Sequence, residues 1–172
     1  MRNFSALIFC CFFLVSHPVQ AQTCNANMAA STPDSQLTDT GDGTITDSKT
    51  GLMWKKCMEG VTGNLCNTGA AATFTWQTAL QQPGVVNGVG FAGYSDWRLP
   101  NIKELTSIVE ERCYDPAINL TRFPNTPPSV VWSGSPVAYD SYSAWVVNFS
   151  NGGSSNYYRG YYVQVRLVRG GQ

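Results

Sequence analysis

The chain has 172 residues, and its 11 lysines and arginines balance 11 aspartates and glutamates. A near-neutral chain whose longest basic run is Lys55–Lys56 does not favour strong electrostatic binding, so we expect no nucleic-acid partner. The one histidine, His17, lies in an N-terminal apolar segment, so the rest of the chain has no histidine for catalysis or metal binding. Any chemistry there would depend on carboxylates, tyrosine, lysine or cysteine.

Residues 1–21 are predicted to be a signal peptide. Arg2 provides a positive start, Ala6–Val15 is apolar, and Val19–Ala21 provides small residues at a cleavage site. The apolar run is too short for a membrane span, which needs about 20 residues. We therefore expect a secreted or periplasmic protein that is cleaved after Ala21 and leaves about 150 residues, the size of one domain.

The remaining chain has four cysteines, Cys24, Cys57, Cys66 and Cys113. In an exported protein four cysteines favour two disulfides, for which three pairings are possible. Cys57 and Cys66 bracket a short loop and form the natural local pair, which leaves Cys24 with Cys113. That second bond would tie an extended leader, residues 22–36, to the domain predicted over 37–170. A zinc site is the alternative, but no Cys-x-x-Cys pair supports it.

The first elements after the leader are predicted to form a β-hairpin. Thr44–Asp47 and Leu52–Trp54 are short strand candidates, and turn residues precede and separate them. Asp39, Asp42 and Asp47 surround two glycines, and carboxylate-rich turns of this kind can bind calcium through oxygen ligands. The alternative is that these aspartates only provide turn geometry. No other cofactor is indicated.

Two helices are predicted next. Thr75 can cap a short helix that ends at Pro83–Gly84 and buries Trp76, Ala79 and Leu80. Pro100 ends an extended segment, and Asn101 then begins a second helix. The Asn101 side chain can accept from the Glu104 amide while the Glu104 carboxylate accepts from the Asn101 amide, which is a capping box. The apolar residues on one face of this helix are Ile102, Leu105, Ile108 and Val109.

The C-terminal third is predicted to be β-structure. The strand candidates are Val130–Ser133, Ser143–Phe149 and Tyr161–Val168, and apolar and polar residues alternate in the last of them. A turn at Asn151–Gly153 is suited to a hairpin. Helices early and antiparallel strands late indicate an α+β fold.

Eight short blocks then occur in a characteristic order: Gly41–Asp47, Thr50–Trp54, Thr75–Ala79, Gly93–Asn101 with Glu104–Leu105, Asn125–Pro127, Val131–Ser133, Trp145–Phe149 and Val165–Arg169. Together they resemble the Lcl C-terminal domain family, over about residues 37–170. The resemblance implies a C-type-lectin-like architecture, with two short helices on a small twisted antiparallel sheet. It also implies exported, non-catalytic recognition or adhesion, with glycan ligands known for the family's namesake. The calcium-binding motifs of calcium-dependent lectins are absent, and no cysteine follows Cys113 to provide the chemistry of the related sulfatase modifiers.

Aromatic residues crowd the C-terminal third, and five residues there are predicted to contact a glycan or a surface protein: Tyr139, Tyr142, Tyr157, Tyr158 and Arg159. Flat rings with polar edges suit sugar faces and protein interfaces, and an arginine adds a fork of hydrogen-bond donors. The alternative for the tyrosines is packing within a sheet, where aromatic residues are common.

Two other functions remain open. A carboxylate-dependent hydrolase acting on carbohydrate would use two of Asp96, Glu104, Asp115 and Asp140, although their spacing selects no pair. A structural subunit of a surface assembly is the second alternative. We expect Asp96 and Arg98 to have structural roles, and Glu110 and Glu111 to form a solvated helix end. The oligomeric state is open.

Overall fold

A computed structural model describes residues 21–170 of the chain. The predicted signal peptide, apart from Ala21, lies outside the described residues, and so does His17. The two helices are α1 (Trp76–Val89) and α2 (Ile102–Thr106). The strands are β1 (Thr23–Cys24), β2 (Leu37–Asp39), β3 (Thr44–Asp47), β4 (Leu52–Lys55), β5 (Val61–Thr62), β6 (Thr68–Gly69), β7 (Thr73–Phe74), β8 (Cys113–Tyr114), β9 (Val130–Val137), β10 (Asp140–Asn148), β11 (Gly153–Tyr158), β12 (Val163–Gln164) and β13 (Val168–Gly170).

The strands form two main sheets instead of the single small sheet that we expected. The larger has five strands in the order β11-β10-β9-β12-β7, and the other has four in the order β13-β4-β3-β2. All pairs are antiparallel except β12–β9, where Gln164 pairs with Val131 in parallel. The pairs β1–β8 and β5–β6 form two small ribbons. The α+β class is confirmed, as is the hairpin formed by β3 and β4.

Two apolar clusters hold these layers together. One packs α2 and the four-stranded sheet around Trp54, Leu105 and Phe123, all fully buried. The other lies under α1 and the five-stranded sheet, around Trp97 and Trp132. Tryptophans bury large apolar areas, and their indole N–H groups need partners. The Trp132 Nε1 donates to the Phe74 carbonyl at 2.8 Å, which fastens β7 to the core.

Helix α1 is capped by Thr75 as predicted, since the Thr75 hydroxyl accepts from the Thr78 amide at 3.4 Å. The predicted stop at Pro83–Gly84 is wrong, because Pro83 lies inside a helix that continues to Val89. Proline removes one hydrogen bond from a helix interior, but tertiary contacts hold the following turn in place. The Asn87 side chain donates to the Trp97 carbonyl and accepts from the Trp97 amide, each at 2.9 Å. Leu80, which we expected to be buried, is 43% exposed.

Helix α2 has the predicted capping box. The Asn101 Oδ1 accepts from the Glu104 amide at 2.9 Å, and the Glu104 Oε2 accepts from the Asn101 amide at 2.8 Å. The helix itself is shorter than the apolar spacing predicted and ends at Thr106. Ile108 and Val109 are nevertheless buried in the turns that follow it.

The predicted strand Tyr161–Val168 is divided between the two sheets, as β12 and β13. Arg166, between them, is fully buried, which the alternating pattern did not predict. Its Nη1 donates to the Lys55 carbonyl at 2.9 Å and its Nη2 to the Thr126 hydroxyl at 2.7 Å. Burial lowers the pKa of Arg166 to about 9, and the nearby Glu59 carboxylate opposes that shift. The guanidinium therefore stays charged at neutral pH and joins β4 to the loop that contains Thr126.

Both predicted disulfides are confirmed, Cys24–Cys113 and Cys57–Cys66. The leader is held by more than its disulfide, because the side chain of Glu110 lies beneath it and is only 2% exposed. One Glu110 oxygen accepts from the Ser31 amide and the other from the Thr32 amide, each at 3.0 Å. The prediction of a solvated position is therefore wrong for Glu110, whereas Glu111 is exposed.

Candidate recognition surface

Five tyrosines are exposed at the ends of strands β9 to β12 of the five-stranded sheet and in the loops between them, and we call this group the tyrosine face. They lie in the β9–β10 turn, at the start of β10, at the end of β11 and in the loop before β12. Their exposed fractions are 78% for Tyr139, 71% for Tyr142, 54% for Tyr158, 57% for Tyr161 and 73% for Tyr162. Tyr161 and Tyr162 were predicted to begin a strand, so the sequence reasoning missed their place on this surface.

The pairing of β10 with β11 places Tyr157 and Tyr158 on opposite faces of the sheet. Ala144 is opposite Tyr157 and Ser143 is opposite Tyr158, and neighbouring residues of a strand face opposite sides of the sheet. Tyr157 shares the face of the buried Ala144 and packs against the core cluster around Trp132. It is therefore half-buried, whereas Tyr158 faces solvent. Tyr157, which was predicted to contact a ligand, therefore fits the alternative of packing within the sheet better.

The rings of this surface contact one another. The ring of Tyr161 makes edge-to-face contacts with Tyr157 and Tyr158, at centroid distances of 6.0 Å and 5.6 Å. The Tyr139 hydroxyl accepts from the Asn156 side chain at 3.2 Å. Side chains that are ordered before binding lose less entropy when a ligand arrives.

Arg159 lies at the border of the tyrosine face and is also part of the scaffold. Its guanidinium lies 4.3 Å from the ring centroid of Trp76, within the range of a cation–π contact. Its Nε donates to the Ser143 carbonyl at 3.0 Å. A depression of about 430 Å³ borders this pair and is lined by Thr75, Trp76, Gln77, Leu80, Arg159 and Gly160. One nitrogen of the predicted fork of donors, Nε, is therefore used in a hydrogen bond within the domain.

The aspartates of the predicted calcium site each stabilise a turn. Their carboxylates accept from the amides two residues further along, Asp39 from Gly41, Asp42 from Thr44 and Asp47 from Lys49. Asp39 also forms an ion pair with Lys56 at 2.6 Å. Between residues 21 and 170 no group of three or more acidic, cysteine or histidine side chains is arranged to hold a metal ion. The contacts of the three aspartates are those of the turn-geometry interpretation.

A second depression, of about 420 Å³, lies between the turn at Gly41–Gly43 and the loop closed by Cys57–Cys66. The ammonium of Lys55 is 4.3 Å from the ring centroid of Phe91 and 2.6 Å from the Glu59 carboxylate. No sequence signal indicates this depression, because its sides come from distant parts of the chain.

Three of the four acidic residues considered for hydrolysis, Asp96, Glu104 and Asp140, are engaged in other contacts. Asp96 pairs with Arg169 at 2.6 Å, and that hydrogen bond is the main reason that the pKa of Asp96 is lowered. Burial acts to raise the pKa of Glu104, but its bonds with Arg98 and the Asn101 amide outweigh burial and lower the pKa. Hydrogen bonds with Ser143 and Tyr142 lower the pKa of Asp140. Asp96 and Arg98 thus form ion pairs with different residues, Arg169 and Glu104, and both pairs are structural contacts.

Fold and surface together define a disulfide-bonded α+β domain with an exposed tyrosine-rich surface. The family model described as the Lcl C-terminal domain matches residues 43–169, which is most of the chain, so the protein belongs to this family. The match lies within the predicted domain, residues 37–170. A comparison with curated proteins finds no match. Neither helix in residues 21–170 is long and apolar enough to cross a membrane.

Proposed function

We propose that this protein is an exported, non-catalytic recognition module that binds a glycan or a protein surface through its tyrosine face. One observation carries the proposal: five of the eight tyrosines are more than half exposed, all at strand ends or in connecting loops of one sheet. Exposed apolar residues that occur singly are normal, whereas a contiguous group marks an interaction site. The two disulfides and the membership of the Lcl C-terminal domain family support an extracellular, adhesin-like role.

The chemistry of the surface suits carbohydrate in particular. Tyrosine rings present flat apolar faces to sugar C–H groups, and their hydroxyls lie at the edge where sugar hydroxyls would be. Asp140 and Arg159 add a carboxylate, which is an acceptor when ionised, and a guanidinium beside the rings. A protein ligand would use the same rings as anchors, since tyrosine is enriched at protein interfaces.

A non-catalytic role is supported by the state of the carboxylates. A glycosidase needs one carboxylic acid whose pKa is raised, so that it is protonated when it acts. Asp96, Glu104 and Asp140 all have lowered pKa values, and the first two are bound to arginines. These contacts favour structural roles over acid catalysis.

The test is a glycan-array and matrix-protein screen with and without calcium, followed by variants of the tyrosine face. We expect Tyr139→Ser, Tyr142→Ser and Tyr158→Ser combined to weaken binding at least about tenfold, because each ring contact is worth about 1 kcal/mol. Tyr114→Ser is the matched control, since Tyr114 is 51% exposed but belongs to the β1–β8 ribbon. Unchanged binding by the triple variant, with its melting temperature preserved, would refute the assignment of this surface.

A further inference from the structure

Strand β11 is at the edge of the five-stranded sheet, and the side of its backbone away from β10 has no partner strand within residues 21–170. The Arg159 amide donates to the Tyr142 carbonyl at 2.9 Å, which identifies this pair as hydrogen-bonded. Bonded pairs alternate along an antiparallel ladder. The amides and carbonyls of Ser154, Asn156 and Tyr158 therefore point away from β10.

This edge lacks the features that usually prevent two strands from pairing. Edge strands in natural proteins avoid pairing with another chain by carrying lysine or other charges, a proline, or a bulge. The sequence from Gly153 to Tyr158 is Gly-Ser-Ser-Asn-Tyr-Tyr, which is uncharged and has no proline, and its register with β10 is continuous. The other end strands of the two main sheets, β2, β7 and β13, have only two or three residues, so β11 offers the longest exposed edge in the described part of the chain.

We propose that β11 pairs antiparallel with β11 of a second copy of this chain, about a twofold axis at Asn156. In this register the two Asn156 residues exchange both of their main-chain hydrogen bonds. Each Tyr158 amide donates to the Ser154 carbonyl of the other copy, so the pair gains four hydrogen bonds. The Tyr158 carbonyl takes no part, because it already accepts from the Tyr161 amide at 3.0 Å.

The side chains of β11 favour a second copy over an unrelated strand. Its N-terminal half is small and its C-terminal half is bulky, so an antiparallel copy of the same strand sets small residues opposite bulky ones. Antiparallel self-pairing places Ser155 opposite Tyr157 and Ser154 opposite Tyr158, on the two faces of the joined sheet. No charge lies at the axis, where a charged residue would face its own copy. Such a self-complementary interface is typical of twofold dimers.

The dimer would have two tyrosine faces on one continuous sheet. Two linked sites bind a repeating ligand more strongly than one, without any new contact. The proposal does not depend on the ligand of the tyrosine face, and the mass of the protein in solution tests it without a ligand.

The experiment is sedimentation velocity of the mature chain over a wide concentration range. We expect a reversible monomer–dimer equilibrium for the wild type. Asn156→Lys and Asn156→Glu each place two like charges at the axis, so each alone should weaken dimerisation by about tenfold or more. An equimolar mixture of the two should recover a dimer, because opposite charges then meet. Asn64→Lys, at an exposed position in the disulfide loop, is the control and should dimerise as the wild type does.

A wild type that stays monomeric throughout overturns the proposal. A dimer that neither Asn156 variant weakens also overturns it, as does a mixture that fails to recover pairing. Far-UV circular dichroism of each variant distinguishes a lost interface from a lost fold.

Discussion

Glu110 gives the sharpest prediction about stability, because the carboxylate is buried and holds the leader. Its oxygens accept from the amides of Ser31 and Thr32 and from the Thr32 hydroxyl, each at 3.0 Å. The guanidinium of Arg112 adds an ion pair at 3.6 Å. We consider Glu110→Gln, which preserves the size of the side chain but removes its charge and replaces one acceptor with a donor.

The magnitude follows from those contacts. Hydrogen bonds to a charged group contribute about 1.5–3 kcal/mol, and a buried donor without an acceptor carries a similar cost. Glutamine keeps one acceptor oxygen, so one of the two leader amides must lose its partner. We therefore expect Glu110→Gln to lower the free energy of unfolding by about 2–3 kcal/mol at neutral pH. The assay is urea unfolding followed by tryptophan fluorescence, with both disulfides intact.

The loss should depend on pH. Burial acts to raise the pKa of Glu110, but the hydrogen bonds from Thr32 and Ser31 outweigh burial and hold the pKa below its ordinary value. A carboxylate of this kind stabilises the fold above its unfolded pKa, and that stabilisation is lost as the pH falls through the folded pKa. The difference between wild type and variant should therefore be full at pH 7 and shrink in acid.

Glu111→Gln is the matched control, since the neighbouring glutamate is exposed. It should change the free energy of unfolding by less than about 0.5 kcal/mol. A Glu110→Gln variant as stable as the wild type at neutral pH would refute the reasoning, and so would a deficit that is the same in acid.

Two further predictions concern the capping box and the disulfides. Asn101→Ala should cost about 1 kcal/mol and lower the melting temperature by about 2–4 °C, whereas Asn101→Ser should retain the cap, and identical melting of the Ala variant would contradict this. Removing Cys24–Cys113, with a sequence separation of 89, should cost about 2 kcal/mol more in the free energy of unfolding than removing Cys57–Cys66, with a separation of 9. Urea unfolding of the two double serine variants measures this, and equal losses would contradict the loop-length argument.

The features that the sequence predicted correctly are those whose partners are close in the chain. The capping box joins Asn101 to Glu104, the hairpin joins β3 to β4, and Cys57 is near Cys66. The Cys24–Cys113 pair could be predicted because only two cysteines then remained. Residues that are close in the chain have few other partners to choose from, so residue type and spacing are sufficient to predict such contacts.

The features that the sequence did not predict depend on distant partners. Proline at position 83 indicates a helix end, but α1 continues beyond it, where the Asn87 side chain is hydrogen-bonded to Trp97. Glu110 looks like a surface residue because the leader amides that it binds are about 80 positions away. Arg166 alternates with apolar residues like an exposed side chain, yet its partners on Lys55 and Thr126 bury it.

The candidate site shows the same division. The sequence by itself identified the aromatic C-terminal third, the two disulfides and the family, because composition, spacing and block order are properties of the chain. Only the tertiary structure decided that Tyr158 faces solvent while Tyr157 packs inward, since that depends on the register of β11 against β10. It likewise brought Tyr161 and Tyr162 into the tyrosine face and divided the last predicted strand between two sheets. The physical reason is that a side chain is exposed or buried through its neighbours in space, and long-range pairing chooses those neighbours.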